Sequence, residues 1–483
     1  MGYGRVPMRT KLWPCTVAIV AAVAATAAAP APALADPTPL VRHVCPDGLE
    51  IVVSEMHTSP LVTVQIAVHE GAMTEDDKYN GVSHLYEHMF FKGNAVQPDQ
   101  LAFTKRLRAL GMEFNGTTNN ERVNYFFTTS SDHLADQMAF MRDAIATPLF
   151  DPKEFERERV VVTGEIDRNE SEPRYHLWHT MEQHLFWKYP TRKDALGKRA
   201  SVLAATPDMM RTIQKRYYVP NNSILVVTGD VKADDVFAMA DKLYADWKRA
   251  DDPFTKFPLP EHPPLRGSEV VLLAQPVENF NAAIDWLGPS TLGKNDADTY
   301  AADLLAQLTS DPGSRFQKTL VDSGACVDAG NWYYTERHTG EVGFGFEATP
   351  DKVDTCTSAI WAEIPKLASP DYFTDEEMRN AVHRIEVSRA ANRETTQGRA
   401  DAITFFWSSA SLDYDAHYEE RVRAVTRQGL ADYLNRWVIG KPFVFGAMAS
   451  QKQLDAGLTE EHLGKIVGVT VKAKAVAAKG GAR

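Results

Sequence analysis

Five prolines fall within residues 251–267, DDPFTKFPLPEHPPLRG, a run so poor in backbone donors that it can neither continue a helix nor fill the middle of a sheet. It reads as an interdomain linker and cuts the chain nearly in half. The two halves look like repeats: GLEIVVSEMHTSPLVTVQIAV from Gly48 parallels GSEVVLLAQPVENFNAAIDWL from Gly267 in length and in the placing of apolar pairs. Each copy reads as a β-hairpin leading into a helix. Further along, the charged helical pattern from Pro152 that leads to Glu165 resembles the pattern from Asp375 that leads to Ser388. Each half then closes on an apolar strand, Ser223–Thr228 and Phe443–Met448. The expected architecture is α+β: two homologous domains, residues 36–250 and 268–470, each an antiparallel sheet faced by helices. Residues 471–483, rich in Ala, Lys and Gly, lack apolar periodicity and are expected to be a disordered tail.

Residues 1–35 read as a signal peptide. Arg5, Arg9 and Lys11 precede an apolar run from Thr16 to Ala29, and Ala33-Leu34-Ala35 offers small residues for cleavage. The run is shorter than the roughly 20 residues a membrane-spanning helix needs. The expected product is exported, periplasmic or secreted, with no membrane span once the peptide is removed. Its formal charge, −12 for the whole chain, becomes more negative when those three basic residues leave, which disfavours nucleic acid as a partner. Three cysteines remain, Cys45, Cys326 and Cys356, too few for a disulfide scaffold. Cys326 with Cys356 reads equally well as a bridge or as two buried thiols.

The segment that carries chemistry is Gly81-Val-Ser-His84-Leu-Tyr-Glu87-His88-Met-Phe-Phe-Lys-Gly93. On a helix, His84 and His88 project from one face and can grip one ion, while Glu87 can reach a water on that ion without being a ligand itself. A catalytic zinc needs a third protein ligand. Glu158 and Glu165, two helical turns apart, share a face of another expected helix, so one can bind metal while the other orients a histidine. Taken alone, such a run is more often a solvated charged face. A competing cluster, His176, His179, Glu182 and His184, has poorer ligand spacing and no Glu immediately before a histidine. The stretch around Asn115-Gly116 combines turn formers with a period-two pattern, and it reads as a loop feeding an edge strand able to pair with an extended peptide.

Taken together, His84-Leu-Tyr-Glu87-His88 followed by Met-Phe-Phe-Lys-Gly, Glu165 77 residues after His88, Glu158 seven before Glu165, Asn115-Gly116, and Tyr217-Tyr-Val-Pro-Asn-Asn before Leu225-Val-Val-Thr-Gly-Asp230 resemble the pitrilysin/insulinase family of zinc metallopeptidases. The resemblance covers almost the whole chain after the signal segment. It implies Zn2+ held by His84, His88 and Glu165, with Glu87 as general base and Glu158 supporting the site. It implies a substrate strand at Asn115-Gly116, and two domains enclosing a chamber for peptides or unfolded protein segments. The second half lacks this machinery, having Thr299-Tyr-Ala-Ala-Asp-Leu-Leu-Ala and Ser388 in the matching places. It also departs from relatives that carry an Arg and a Tyr there for the substrate backbone: Val321 replaces the Arg, and Cys326 stands near the Tyr position. The alternatives are that Arg315, Lys318 or Tyr333 substitutes within the chain, or that a homodimer suffices. The main expectation is instead a zinc-less homologous partner chain that supplies both groups in a heterodimer. The alternatives to a peptidase are a non-catalytic assembly subunit and a zinc-dependent peptide carrier. Retention of the zinc residues argues against the first, and Glu87 against the second.

Overall fold

The computed structural model describes residues 39–471, so the expected signal segment and all of the expected tail beyond Val471 lie outside it. The first half supplies β1 (Leu40–Val44), β2 (Glu50–Glu55), β3 (Leu61–Val68), β4 (Glu113–Thr118), β5 (Val123–Ser130) and β6 (Ser223–Gly229). They form one sheet in the order β1-β2-β6-β3-β5-β4. The second half supplies β7 (Glu269–Ala274), β8 (Phe280–Leu287), β9 (Asp328–Tyr333), β10 (Glu341–Ala348) and β11 (Val444–Ala449), in the order β7-β11-β8-β10-β9. The expected linker, residues 251–267, carries a single short helix, Pro253–Lys256.

Two expectations need correction. The paired segments after Gly48 and Gly267 are not hairpins, because the last strand of each half inserts between them. β6 pairs parallel with β2 and antiparallel with β3, and β11 does the same with β7 and β8. Each sheet is therefore antiparallel except for one parallel pair. The physical reason lies in β6 and β11, which are buried at every position. A strand with no solvated face belongs in the centre of a sheet covered on both sides.

On one face of the first sheet lie α1 (Val82–Phe90), α2 (Gln100–Ala109), α3 (Leu134–Ala146) and α4 (Pro152–Glu170), around a core that includes Leu85, Tyr86, Phe103 and Met141. Further helices include α5 (Pro173–Leu185) and α6 (Ala233–Leu243) in the first half, and α7 (Ala297–Ser310), α8 (Asp375–Asn392) and α9 (Thr396–Ser409) in the second. The halves exchange cover. From α9, Ala400 and Ile403 pack on Val52, Ala67, Ile224 and Val226 of the first sheet, while Leu177, Met181 and Leu185 of α5 pack on Ala283, Val444 and Met448 of the second. Polar contacts lock the first exchange: the Gln65 amide donates to Asp401 (3.0 Å) and Thr404 (2.9 Å), and the Thr228 hydroxyl donates to the Thr396 carbonyl (2.7 Å). On the second sheet, a Cβ at Gly446 would lie 2.4 Å from Met181 Cγ, so α5 seats there only over glycine.

Cys326 and Cys356 are bridged across a sequence separation of 30, which settles the choice between bridge and buried thiols; Cys45 is free and buried. The bridge ties the approach to β9 to the helix Val353–Glu363. From the chain-entropy account of loop closure, replacing both cysteines with alanine is expected to cost about 3–4 kcal/mol. Denaturant unfolding checks this as a lowered midpoint.

Candidate metal centre

Helix α1 starts at Gly81, whose φ of +86 favours glycine and whose Cα is pressed against Gly197. Two of the orphan N–H groups at its first turn are satisfied by Glu75: Oε2 accepts from Gly81 N (2.8 Å) and Oε1 from Ser83 N (2.7 Å). Beside it, Glu70 accepts from the Ser83 hydroxyl, and burial raises the Glu70 carboxyl to about 7. Val82, Leu85, Tyr86, Met89 and Phe90 face the core, which leaves His84, Glu87 and His88 half-buried on the other side. Helix α4 is fixed by an Asp151 cap that accepts from Lys153 N (2.9 Å) and Glu154 N (3.1 Å), and by buried Phe155, Val162 and Ile166. It brings buried Glu158 and half-buried Glu165 to the α1 face.

There, Nε2 of His84 lies 3.5 Å and Nε2 of His88 3.8 Å from Glu165 Oε2. A tetrahedral zinc with bonds of about 2.0–2.2 Å needs its ligand atoms roughly 3.3–3.6 Å apart, so the three donors already stand close to a coordination triangle. His88 Nδ1 donates to Glu158 Oε2 (3.1 Å), which fixes the tautomer that leaves Nε2 free. Glu158 Oε1 in turn meets Lys92 Nζ at 2.7 Å. Burial pushes the Glu158 carboxyl up, but the His88 and Lys92 bonds outweigh it and hold the group below its ordinary value. His84 is pushed down by burial, and by the His88 charge, to about 4, which keeps it in the neutral form that binds metals. For His88, burial pulls down, but Glu158, Glu87 and Glu165 together raise it.

Glu87 Oε2 accepts from the Thr118 hydroxyl of β4 (2.8 Å), and burial raises its carboxyl. The stretch read as a loop feeding an edge strand is itself the edge strand β4, and the strand it feeds, β5, lies inside the sheet between β3 and β4. Gly116 lies directly against Glu87: a Cβ there would sit 2.8 Å from Glu87 Cγ. The Asn115 side chain accepts from Gly116 N (3.0 Å) and, with Gly116, lines an opening of about 550 Å3 above the histidines. All seven residues singled out in the sequence are thus brought to one place.

The competing histidine cluster does not converge. His176 Nε2 donates to the Glu170 carbonyl, His179 pairs with Gln183, His184 with Glu269, and Glu182 accepts from Trp178. Three residues of the site escaped the sequence reading: Glu75, Lys92 and Thr118. Lys92 was accessible in principle, because it lies one helical turn after His88 and a buried Glu158 demands a cation.

Residues 50–196 match the family described as Insulinase (Peptidase family M16), and residues 204–385 match the one described as Peptidase M16 inactive domain. The border between the two matches falls before β6, inside the first half. A probable mitochondrial-processing peptidase subunit beta of Arabidopsis thaliana is 23% identical over 425 residues, 85% of this chain and 78% of that protein. Among solved structures, a protease from Helicobacter pylori superposes with a TM-score of 0.77 at 20% identity, covering 85% of this chain and 100% of that one. The periplasmic protease PqqL from Escherichia coli does so with a TM-score of 0.72 at 16% identity, covering 93% of this chain and 52% of that one, so the present chain spans about half its length. A two-sheet α+β chain with this sequence is an insulinase-type peptidase fold. The chain belongs to the insulinase family, peptidase family M16, as its motifs suggested.

Proposed function

We propose that this chain is an exported zinc endopeptidase that hydrolyses peptides or unfolded protein segments, with His84, His88 and Glu165 as metal ligands. The observation that carries the reading is the convergence of two histidine Nε2 atoms on one carboxylate oxygen, beside the half-buried Glu87 carboxylate, which is given no ligand role. His84, His88 and Glu165 would hold a zinc ion, which would supply Lewis acidity for activating water and polarising a carbonyl. Glu87 is the general base: steered by Thr118 and Gly116, it takes a proton from the attacking water and returns it to the leaving amine. Its raised carboxyl pKa suits both steps. Glu158, bridging His88 and Lys92, orients the imidazole. Asn115 and Gly116, on the edge strand, receive the substrate main chain in extended form.

The second half completes a chamber. A cavity of about 760 Å3 lined by Arg122, Tyr333, Ser388 and Phe405 also reaches Thr117 on β4, a residue that lines the opening above the histidines. Export is supported by the signal-like segment, and the described residues contain no helix long and apolar enough to cross a membrane. The test is digestion of one protein in folded and unfolded forms, with and without a chelator. Cleavage of the unfolded form alone, abolished by the chelator and restored by zinc, is expected; chelator-insensitive cleavage overturns the reading.

Replacing Gly116 with alanine drives a methyl group into Glu87. Displacing the base by about 1 Å is expected to lower turnover on the order of 10²-fold while zinc content stays unchanged, as steady-state kinetics and metal analysis would show.

Full activity further requires, on this account, a zinc-less homologous partner. Val321 packs against the second core, and Cys326 is locked in its bridge, so neither can donate to a developing oxyanion; one missing donor of this kind costs about 10²–10³-fold. Within the chain, Arg315 is stacked over Tyr372 and the Tyr333 hydroxyl is directed to the Pro289 carbonyl. The Arabidopsis relative carries the name of a subunit, which fits the same arrangement. Turnover by the chain alone and with a co-expressed zinc-less homologue is expected to differ by at least tenfold. Equal turnover would sink the heterodimer and leave the peptidase reading standing.

A further inference from the structure

Strand β1 opens the described chain at one edge of the first sheet, and its end meets helix α6. His43 and Cys45 are two residues apart on extended backbone and therefore point to one side, while Val44 between them is exposed. On that side lies Asp241 of α6. His43 Nε2 is 2.9 Å from Asp241 Oδ1. One donor atom from each residue, nitrogen, sulfur and oxygen, lies within 4.8 Å of the other two. One turn before Asp241, Phe237 packs against the His43 ring at 5.1 Å and holds its plane. A fourth group stands near: Asp47 Oδ2 is buried with no hydrogen-bond partner, and its charge reaches Cys45.

We infer that His43, Cys45 and Asp241 form a second divalent transition-metal site, structural in role, which staples β1 to α6. The donor set is that of zinc, with sulfur, imidazole and carboxylate bonds of about 2.3, 2.0–2.1 and 2.0–2.2 Å. Closing those bonds needs Asp241 to draw back from His43 by under 1 Å on this estimate, and its side chain is 41% exposed and free to do so. Charge balances: a divalent ion, one thiolate and one carboxylate sum to zero, with His43 neutral. Binding releases one proton, from the Cys45 sulfhydryl. A thiol 4% exposed beside a part-exposed His and Asp is shielded from solvent yet open to an ion arriving from the Asp241 side. Among the described residues this group and the His84, His88 and Glu165 group are the two sets of at least three such donors that come together, and only this one contains sulfur.

The test is titration of the metal-stripped full chain with Co2+ alone. The parent is expected to show a thiolate-to-cobalt charge-transfer band, to bind one ion more than Cys45→Ser does, and to keep the band when Glu165→Ala disables the other site. Cys45→Ser and His43→Ala are expected to lose the extra ion while peptide turnover is retained. If the Cys45 variant fails to fold, His43→Ala and Asp241→Asn, at part-exposed positions, carry the test. Absence of the sulfur band in the parent, or a band undiminished in all three variants, overturns the site.

Discussion

Glu87→Gln is expected to bind zinc like the parent and to lose peptide hydrolysis by about 10²–10⁴-fold or more. The amide keeps the size of the side chain and can still meet the Thr118 hydroxyl through its carbonyl oxygen, so β4 and α1 keep their spacing. It removes the carboxylate proposed to take the proton from the attacking water. Zinc content should not change, because His84, His88 and Glu165 are untouched. Parental turnover by this variant would remove Glu87 from the mechanism.

Glu165→Ala is expected to lower zinc affinity by far more than about 10²-fold, whereas Glu158→Gln is expected to lower it by about 10–100-fold. The difference follows from position. Glu165 Oε2 faces both histidine Nε2 atoms, and removing it deletes a bond to the metal. Glu158 touches only His88 Nδ1 and Lys92, and its amide analogue still accepts from the imidazole. Alanine at 158 is the poorer probe, since it strands the Lys92 ammonium, 13% exposed, without its partner. Zinc binding to the stripped variants at limiting metal separates the two; equal affinity across parent and both variants would take Glu165 out of the site.

The metal helix was legible because helical period is written in sequence: core residues at 82, 85, 86, 89 and 90 leave 84, 87 and 88 on one face whatever the tertiary context. Glu158 and Glu165 were legible for the same reason, although only their resemblance to a family distinguished their roles. Strand neighbours are a different matter. Nothing in GLEIVVSEMHTSPLVTVQIAV says that a segment more than 150 residues later will lie between its two strands, because alternation specifies faces and not partners. The exchange of α5 and α9 between the halves was hidden likewise: their apolar stripes match any sheet, and only the folded topology says whose. Lys92 and Thr118 became visible once Glu158 stood buried and Glu87 half-buried, since a carboxylate drawn out of water must find a donor.

Zinc added stepwise to the metal-stripped chain, with hydrolysis of an unstructured peptide followed at each step, separates a zinc peptidase from any other reading. No turnover is expected in the stripped chain, turnover that rises with zinc and then levels off in the parent, and none at any zinc level in Glu87→Gln. Turnover in the stripped chain equal to that of the zinc-loaded chain would contradict the zinc-peptidase reading.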